Sequence, residues 1–340
     1  MDSEKVKELY YSLCRGVRKN NKQLYFLRGF LRLLVPRWYC RRRLGRELAA
    51  FDSMDEREQT YVRRRTDYYC RLAEPTLLPV TESVPLSEHT YRKHTCRSVY
   101  FFDTYEYLRY FDPRLRWRHE WGDVNWLCPY PSVVKSRPVT ADDSNRNSVL
   151  LNQDKVRHFM FFQDPIPWRK KTDRVVFRGA VMTKENRRRF MEMFQGNPLF
   201  DVADTDPHGS EAAHGKSLSI YGHLRYKFIM ALEGNDVASN LKWVMGSNCL
   251  AVMPRPTCET WFMEGTLRPD YHYVEVKADF SDAEERVRYY LAHPEEAEQI
   301  VEHAHEYVRQ FLDERRERLI SLRVLQKYFE LTNPHNLTTL

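Results

Sequence analysis

The spacing of apolar positions changes near residue 98 and again near residue 170, and these changes divide the chain into regions of different expected structure. Residues 1–75 read as helical and basic. Within them QLYFLRGFLRLLV is apolar and basic at once, and Pro36 interrupts it before RWYCRRRLGR. From Ser98, SVYFFDTYEYLRYF and then RLRWRHEWGDVNWLCPYPSVVKSRPVT are aromatic and β-branched with proline punctuation, which predicts strands and loops. ADDSNRNS at 141–148 is a polar loop. After residue 170 strands and helices alternate. DRVVFRGAV predicts a strand and turn, KENRRRFMEMF a charged helix, PLFDVADTD a second strand, and HGSEAAHGKS an exposed loop. YHYVEVKADF predicts a further strand, and Ser281, Asp282, Ala283 and Glu284 a capping box. Beyond Pro294, Ala297, Ile300, Val301, Ala304, Val308, Phe311 and Leu312 keep helical spacing. Alternation of this kind implies an α/β second half.

Residues 226–254, YKFIMALEGNDVASNLKWVMGSNCLAVMP, carry the most specific local pattern. The run from Phe228 to Leu232 suits a buried strand, and Gly234 a tight turn beside Asn235. Asp236 or Ser239 can cap a helix through Leu241, Trp243 and Val244, whose N-terminal amides favour an anion, with Lys242 adding a charge. The run 249–253 would then lie parallel to the first strand. This is the local build of a nucleotide phosphate site, although many such units serve structure alone.

At 340 residues, two domains and a cleft between them are expected. The sequence suggests a helical basic segment over 1–75, the rest of an N-terminal domain over 76–168, a C-terminal domain over 169–315, and a terminal helix and tail over 316–340. No apolar run is long enough to span a bilayer, and the start lacks the pattern of a signal peptide, so a cytoplasmic location is expected. The seven cysteines are scattered without CxxC, which argues against a disulfide framework or a zinc site. The net charge of +7 is uneven: eleven Lys or Arg and no acid lie between Arg15 and Arg46. Such a segment, residues 15–46, can lie on an anionic membrane surface at the inner face of the plasma membrane, or be a core helix with snorkelling arginines. Nucleic acid is not expected, because no nucleic-acid motif accompanies the charge, but a non-enzymatic module that binds nucleic acid or membrane through this arm is an alternative reading of the chain.

Four blocks in this order, GDVNWLCPYPSVVKSRPV, DRVVFRGAV, YKFIMALEGNDVASNLKW and LRPDYHYVEVKADFSD, resemble glycosyltransferase family 90 over roughly residues 95–310, its bacterial branch most. The resemblance implies a GT-B type α/β fold, two Rossmann-like domains facing a cleft. It also implies a UDP-sugar donor, inversion at the anomeric centre, no metal and no cofactor. The acceptor it implies is a saccharide, lipid-linked or on the cell surface, as in lipopolysaccharide synthesis. In that pattern Asp123 resembles the catalytic base and Arg178 the diphosphate arginine. Gly234, Asn235, Asp236, Ser239, Asn240 and Lys242 match the segment that wraps the nucleotide, and Asn240 stands where animal members carry an arginine. Glu259 suits ribose or sugar hydroxyls or else a salt-bridged helix start, and Lys135 and Arg137 could line the cleft or simply be solvated beside a strand.

Several signals compete with this assignment. Asp123 also suits a solvated turn after Gly122, Arg178 a surface arginine paired with a neighbouring acid, and Asp103 and Asp112 are rival bases. Asp204, Thr205 and Asp206 form a DxD, the metal signature of another glycosyltransferase fold, which would make transfer metal-dependent. Glu264 parallels Glu259, while His208, His214, His293, His303 and His305 lack a ligand constellation and read as surface or packing residues. His272 reads as a core strand residue.

Overall fold

Helices and strands alternate along the chain as follows in the computed structural model, which describes Lys7, Tyr10, Tyr11 and residues 20–93, 96–181, 183–206, 215 and 217–334. They are α1 (Lys22–Leu33), α2 (Arg37–Ala49), α3 (Glu56–Tyr69), β1 (Val84–Pro85), α4 (Ser98–Leu108), β2 (Arg116–Trp117), β3 (Ser132–Val134), β4 (Ser136–Pro138) and β5 (Ser148–Leu150). Then come α5 (Lys155–His158), β6 (Thr172–Gly179), α6 (Glu185–Phe194), β7 (Phe200–Asp204), α7 (Ile220–His223), β8 (Tyr226–Met230), α8 (Leu241–Met245), β9 (Leu250–Met253), β10 (Cys258–Thr260), β11 (Val274–Glu275), α9 (Ala283–Ala292), α10 (Pro294–Arg309) and α11 (Glu314–Thr332). The expected loop at 208–217, with His208 and His214, lies mostly outside the described residues, as do most of residues 1–19.

One unit is formed chiefly by Arg157–Pro256 and Thr266–Gln310. Its sheet has the order β11-β9-β8-β6-β7, with every pair parallel. Val175, Val176, Phe228, Ile229, Leu250 and Val252 are buried, as a parallel sheet covered on both faces requires. Phe190 and Phe194 of α6, Val287 of α9 and Ile300 of α10 pack into the same core as Val175, Phe228 and Val252. The chain runs from β6 to β7 on one side and returns to β8 on the other, so the direction of winding reverses between β6 and β8.

The other unit is formed by Asn21–Val156, Thr257–Gly265 and the described part of Phe311–Leu340. It is mainly helical, with three two-stranded sheets: β1 with β2, β4 with β10, and β3 with β5. Of the two Rossmann-like halves expected, the described residues therefore carry one. The unit limits also fall elsewhere than the sequence suggests, at 156/157 rather than 168/169 and at 310/311 rather than 315/316. Residues 257–265 return to the helical unit because β10 pairs antiparallel with β4, Glu259 opposite Arg137.

Ser98–Leu108 is a helix, not a strand. Tyr100, Phe101, Phe102, Thr104, Tyr105, Tyr107 and Leu108 are all buried, and a segment buried on every side shows no helical amphipathic period for the sequence to reveal. The expected strand in YHYVEVKADF shrinks to Val274–Glu275, and His272 stands before it, accepting the Arg268 amide at Nδ1, 3.0 Å. The capping box at Ser281 does not form: Ser281 Oγ donates to Asp279 and Asp282 accepts from the Lys277 amide.

Candidate active site

In an open α/β sheet, ligands bind outside the carboxyl ends of the strands where the winding reverses, because the two diverging loops leave a crevice there. Here that place is bounded by residues 180–181 and 183–184 after β6 and 231–240 after β8. Arg187, from α6, bridges the two loops: Nη1 donates to the Ala180 carbonyl at 3.1 Å and Nη2 to the Leu232 carbonyl at 3.0 Å. Burial pushes this guanidinium below the usual arginine value. Among the described residues it has no acidic partner. A half-buried cation answered only by carbonyl oxygens suits a phosphate, whose charge it lacks. Lys184 donates to Asn235 Oδ1, and Asn186 Nδ2 to the Glu233 carbonyl at 3.2 Å, fastening the same loops. A Cβ on Gly234 would come within 3.3 Å of Arg187 Nη2, so the glycine permits this approach.

The segment expected to wrap a nucleotide follows directly. Asn235 and Ser239 are exposed, while Asp236 and Lys242 are buried, with Lys242 Nζ 5.7 Å from the Phe159 ring centroid. The helix there, α8, has only five residues. Its cap is Asn240 rather than Asp236 or Ser239, and Asn240 Nδ2 reaches back to the Met230 carbonyl at 3.1 Å. A helix this short adds little dipole, so charge at the crevice rests on side chains. Arg178, at the end of β6, donates to Asp201 Oδ1 at 2.7 Å and to the Asp201 carbonyl at 2.8 Å. Burial pushes Asp201 up, but hydrogen bonds from Tyr226 and Arg178 outweigh it and hold this carboxyl below its usual range.

In the helical unit, Gly122 takes φ +92°, a conformation that favours glycine, and turns the chain into Asp123. Lys135 Nζ, almost wholly buried, donates to Asp123 Oδ1, while Asp123 keeps 28% of its side-chain surface. The carboxylate is thus held by a buried lysine yet still partly exposed to solvent, as a base for a docking hydroxyl must be. The rings of His119 and Trp121 meet at a tilt of 31° just before it, 4.1 Å between centroids. Burial lowers His119 to about 4, so its ring is neutral near pH 7. The rival Asp103 is fully buried against Lys155, and burial raises it to about 6. Asp112 is held by Arg41 and Arg114 at 2.9 and 3.0 Å.

Glu259 and Arg137 pair with each other, 2.8 Å apart and both at most 1% exposed, and Tyr68 also donates to Glu259. Glu259 therefore stands in the helical unit, whereas Arg178 and residues 234–242 stand in the other. Glu264 accepts from the Thr260 amide at 2.6 Å. Of the DxD, Asp204 Oδ1 accepts the Asp206 amide at 2.8 Å and the Val181 amide at 3.3 Å, which is turn chemistry. His293 contacts the Tyr289 carbonyl, His303 stacks on Tyr271 and His305 contacts the Ser247 carbonyl. Arg187 is the residue that sequence reasoning passed over. Its signal was hidden in the run Arg187, Arg188, Arg189, where only the fold separates one inward arginine from two exposed ones.

A doubly wound parallel sheet with helices on both faces places this unit in the open-sheet α/β class. Residues 154–336 match the family described as Glycosyl transferase family 90, and the chain belongs to that family and is a glycosyltransferase. It is 39% identical over 315 residues to O-glucosyltransferase LpsA of Dichelobacter nodosus, covering 92% of this chain and 96% of that protein. Protein O-glucosyltransferase 3 of Homo sapiens is 28% identical over 170 residues, 48% of this chain and 33% of that protein. Protein O-glucosyltransferase 1 of Homo sapiens is 28% identical over 160 residues, 43% of this chain and 39% of that protein. Both human relatives are matched over well under half their length.

Proposed function

We propose that the chain moves a sugar from a UDP-sugar to a saccharide hydroxyl in lipopolysaccharide or other cell-surface glycan synthesis, on the cytoplasmic side, with inversion and without a metal. Asp123 takes the proton from the acceptor hydroxyl. That oxygen bonds to the anomeric carbon from the face opposite the leaving group, the bond from carbon to the diphosphate breaks, and UDP departs with the electron pair. Fixed positive charge at the crevice between β6 and β8 holds the departing diphosphate. The observation that carries this reading is Arg187 bridging the Ala180 and Leu232 carbonyls at the sheet's reversal. Arg178 is the second cation, currently paired with Asp201. Residues 234–242 contribute backbone and side-chain polar groups to the nucleotide. Likeness to proteins named O-glucosyltransferase makes UDP-glucose the first donor to try.

Thermal shift tests the donor. UDP at 100 times its dissociation constant stabilises by about 2.7 kcal/mol, and the rise is expected to survive EDTA. A rise seen only with Mg²⁺ or Mn²⁺ would favour Asp204 and Asp206, and no rise with any nucleotide would remove the donor assignment. Arg187→Ala is expected to weaken UDP by about 10-fold to 100-fold, since charge-assisted hydrogen bonds of about 1.5–3 kcal/mol are lost. Arg178→Ala should cost less, because Asp201 competes for its fork. Titration calorimetry ranks the two, and the reverse order would return the main diphosphate contact to Arg178.

A further inference from the structure

Helix α1 is apolar on two sides, and only one is covered. Tyr25, Phe26 and Leu33 pack against Phe101 and Phe102. Gly29 lets the helix approach, since a Cβ there would lie 2.7 Å from the Phe102 ring. The core-helix expectation holds for this side. The other side carries Leu24, Leu27, Leu31 and Leu34 in helical spacing, exposed by 44%, 55%, 52% and 76%. Beyond Pro36, Trp38 extends it at 58% exposure, while Phe30 sits at the seam, its ring edge-on to Phe102 and Tyr91.

Charge separates in the same way. Arg32 pairs with Glu106 and Arg41 with Asp112, while Lys22, Arg28, Arg42 and Arg46 pair with no acid among the described residues. Arg42 lies over the Trp38 ring, 5.1 Å from its centroid. Beside Trp38 a cavity of about 470 Å³ opens between Leu44, Leu48, Phe111 and Phe329, with Asp112 and Glu330 also in its wall. A leucine row bordered by arginines, with a tryptophan at its end and no acid across residues 20–46, has the chemistry of a helix lying in a lipid headgroup layer. A second copy of the same face would set like charges against each other, which disfavours a symmetric dimer.

We propose that the outer face of α1, with the start of α2, docks on an anionic phospholipid surface. The inference is independent of the donor chemistry, because vesicle binding reads it in a chain with or without turnover. The full chain would be sedimented with vesicles of phosphatidylcholine alone and with phosphatidylglycerol added. Retention is expected on the anionic vesicles and should fall with salt. Leu27→Glu with Leu31→Glu should lower partitioning more than about tenfold, and Arg28→Glu or Arg42→Glu about fivefold or more each. All four positions are exposed, so the melting temperature should stay unchanged and separate lost docking from lost folding. No retention on anionic vesicles, or equal retention of the double leucine variant, would overturn the proposal. So would a solution dimer that the same variant splits into monomers, which would assign the face to a second copy.

Discussion

Asp123→Asn is expected to lower kcat by about 10²-fold to 10⁴-fold, the usual worth of a positioned base, while leaving UDP affinity nearly intact. The substitution keeps the side chain's shape and an oxygen for Lys135 Nζ, so the local hydrogen bond can persist while the proton acceptor is lost. Loss of kcat with unchanged UDP binding marks an interaction made in the transition state. Steady-state transfer and UDP thermal shift on the same preparation check both halves. Full activity in the variant would remove Asp123 as the base. Lys135 acts through Asp123 as a positioning residue. Lys135→Met should therefore lower kcat with UDP affinity kept and Lys135→Arg should restore part of the rate, whereas a purely structural lysine would lower stability without changing kcat of the folded fraction.

The α/β half was legible because its residues obey local rules. The apolar runs of β6, β7, β8 and β9 are bounded by Gly179, Asp206, Gly234 and Pro254, and such short bounded runs are what buried parallel strands look like in sequence. α10 was legible from its spacing, with Ala297, Ile300, Val301, Ala304 and Val308 buried. α4 was not, because burial on all sides removes the amphipathic period and leaves aromatic content, which points to strands. The strand order was equally hidden. Nothing in β6, β7 or β8 says that β8 lies on the far side of β6 from β7, and that reversal is what gives Arg187 its meaning. Glu259 shows the opposite limit. Its place after Pro254 suggested sugar hydroxyls, but the antiparallel pairing of β10 with β4 puts it opposite Arg137, a contact 122 residues away in sequence.

Glu259→Ala is accordingly expected to act on stability and not on the donor. Removing one partner of a buried ion pair leaves the other charge without compensation, at a cost of about 3–5 kcal/mol. Arg137 is fully buried, and its remaining bonds go to the carbonyls of Tyr68, Tyr69 and Ser148, which lend partial charge but no full counter-charge. Urea unfolding should show the loss, and UDP affinity measured on the folded fraction should match the wild type. Replacing both partners with leucine should recover part of the stability, since no lone charge is left, but not all of it, because the Tyr68 hydroxyl and the carbonyls that Arg137 serves lose their partner. A Glu259→Ala protein of wild-type stability that binds UDP-sugar weakly would return Glu259 to the donor site.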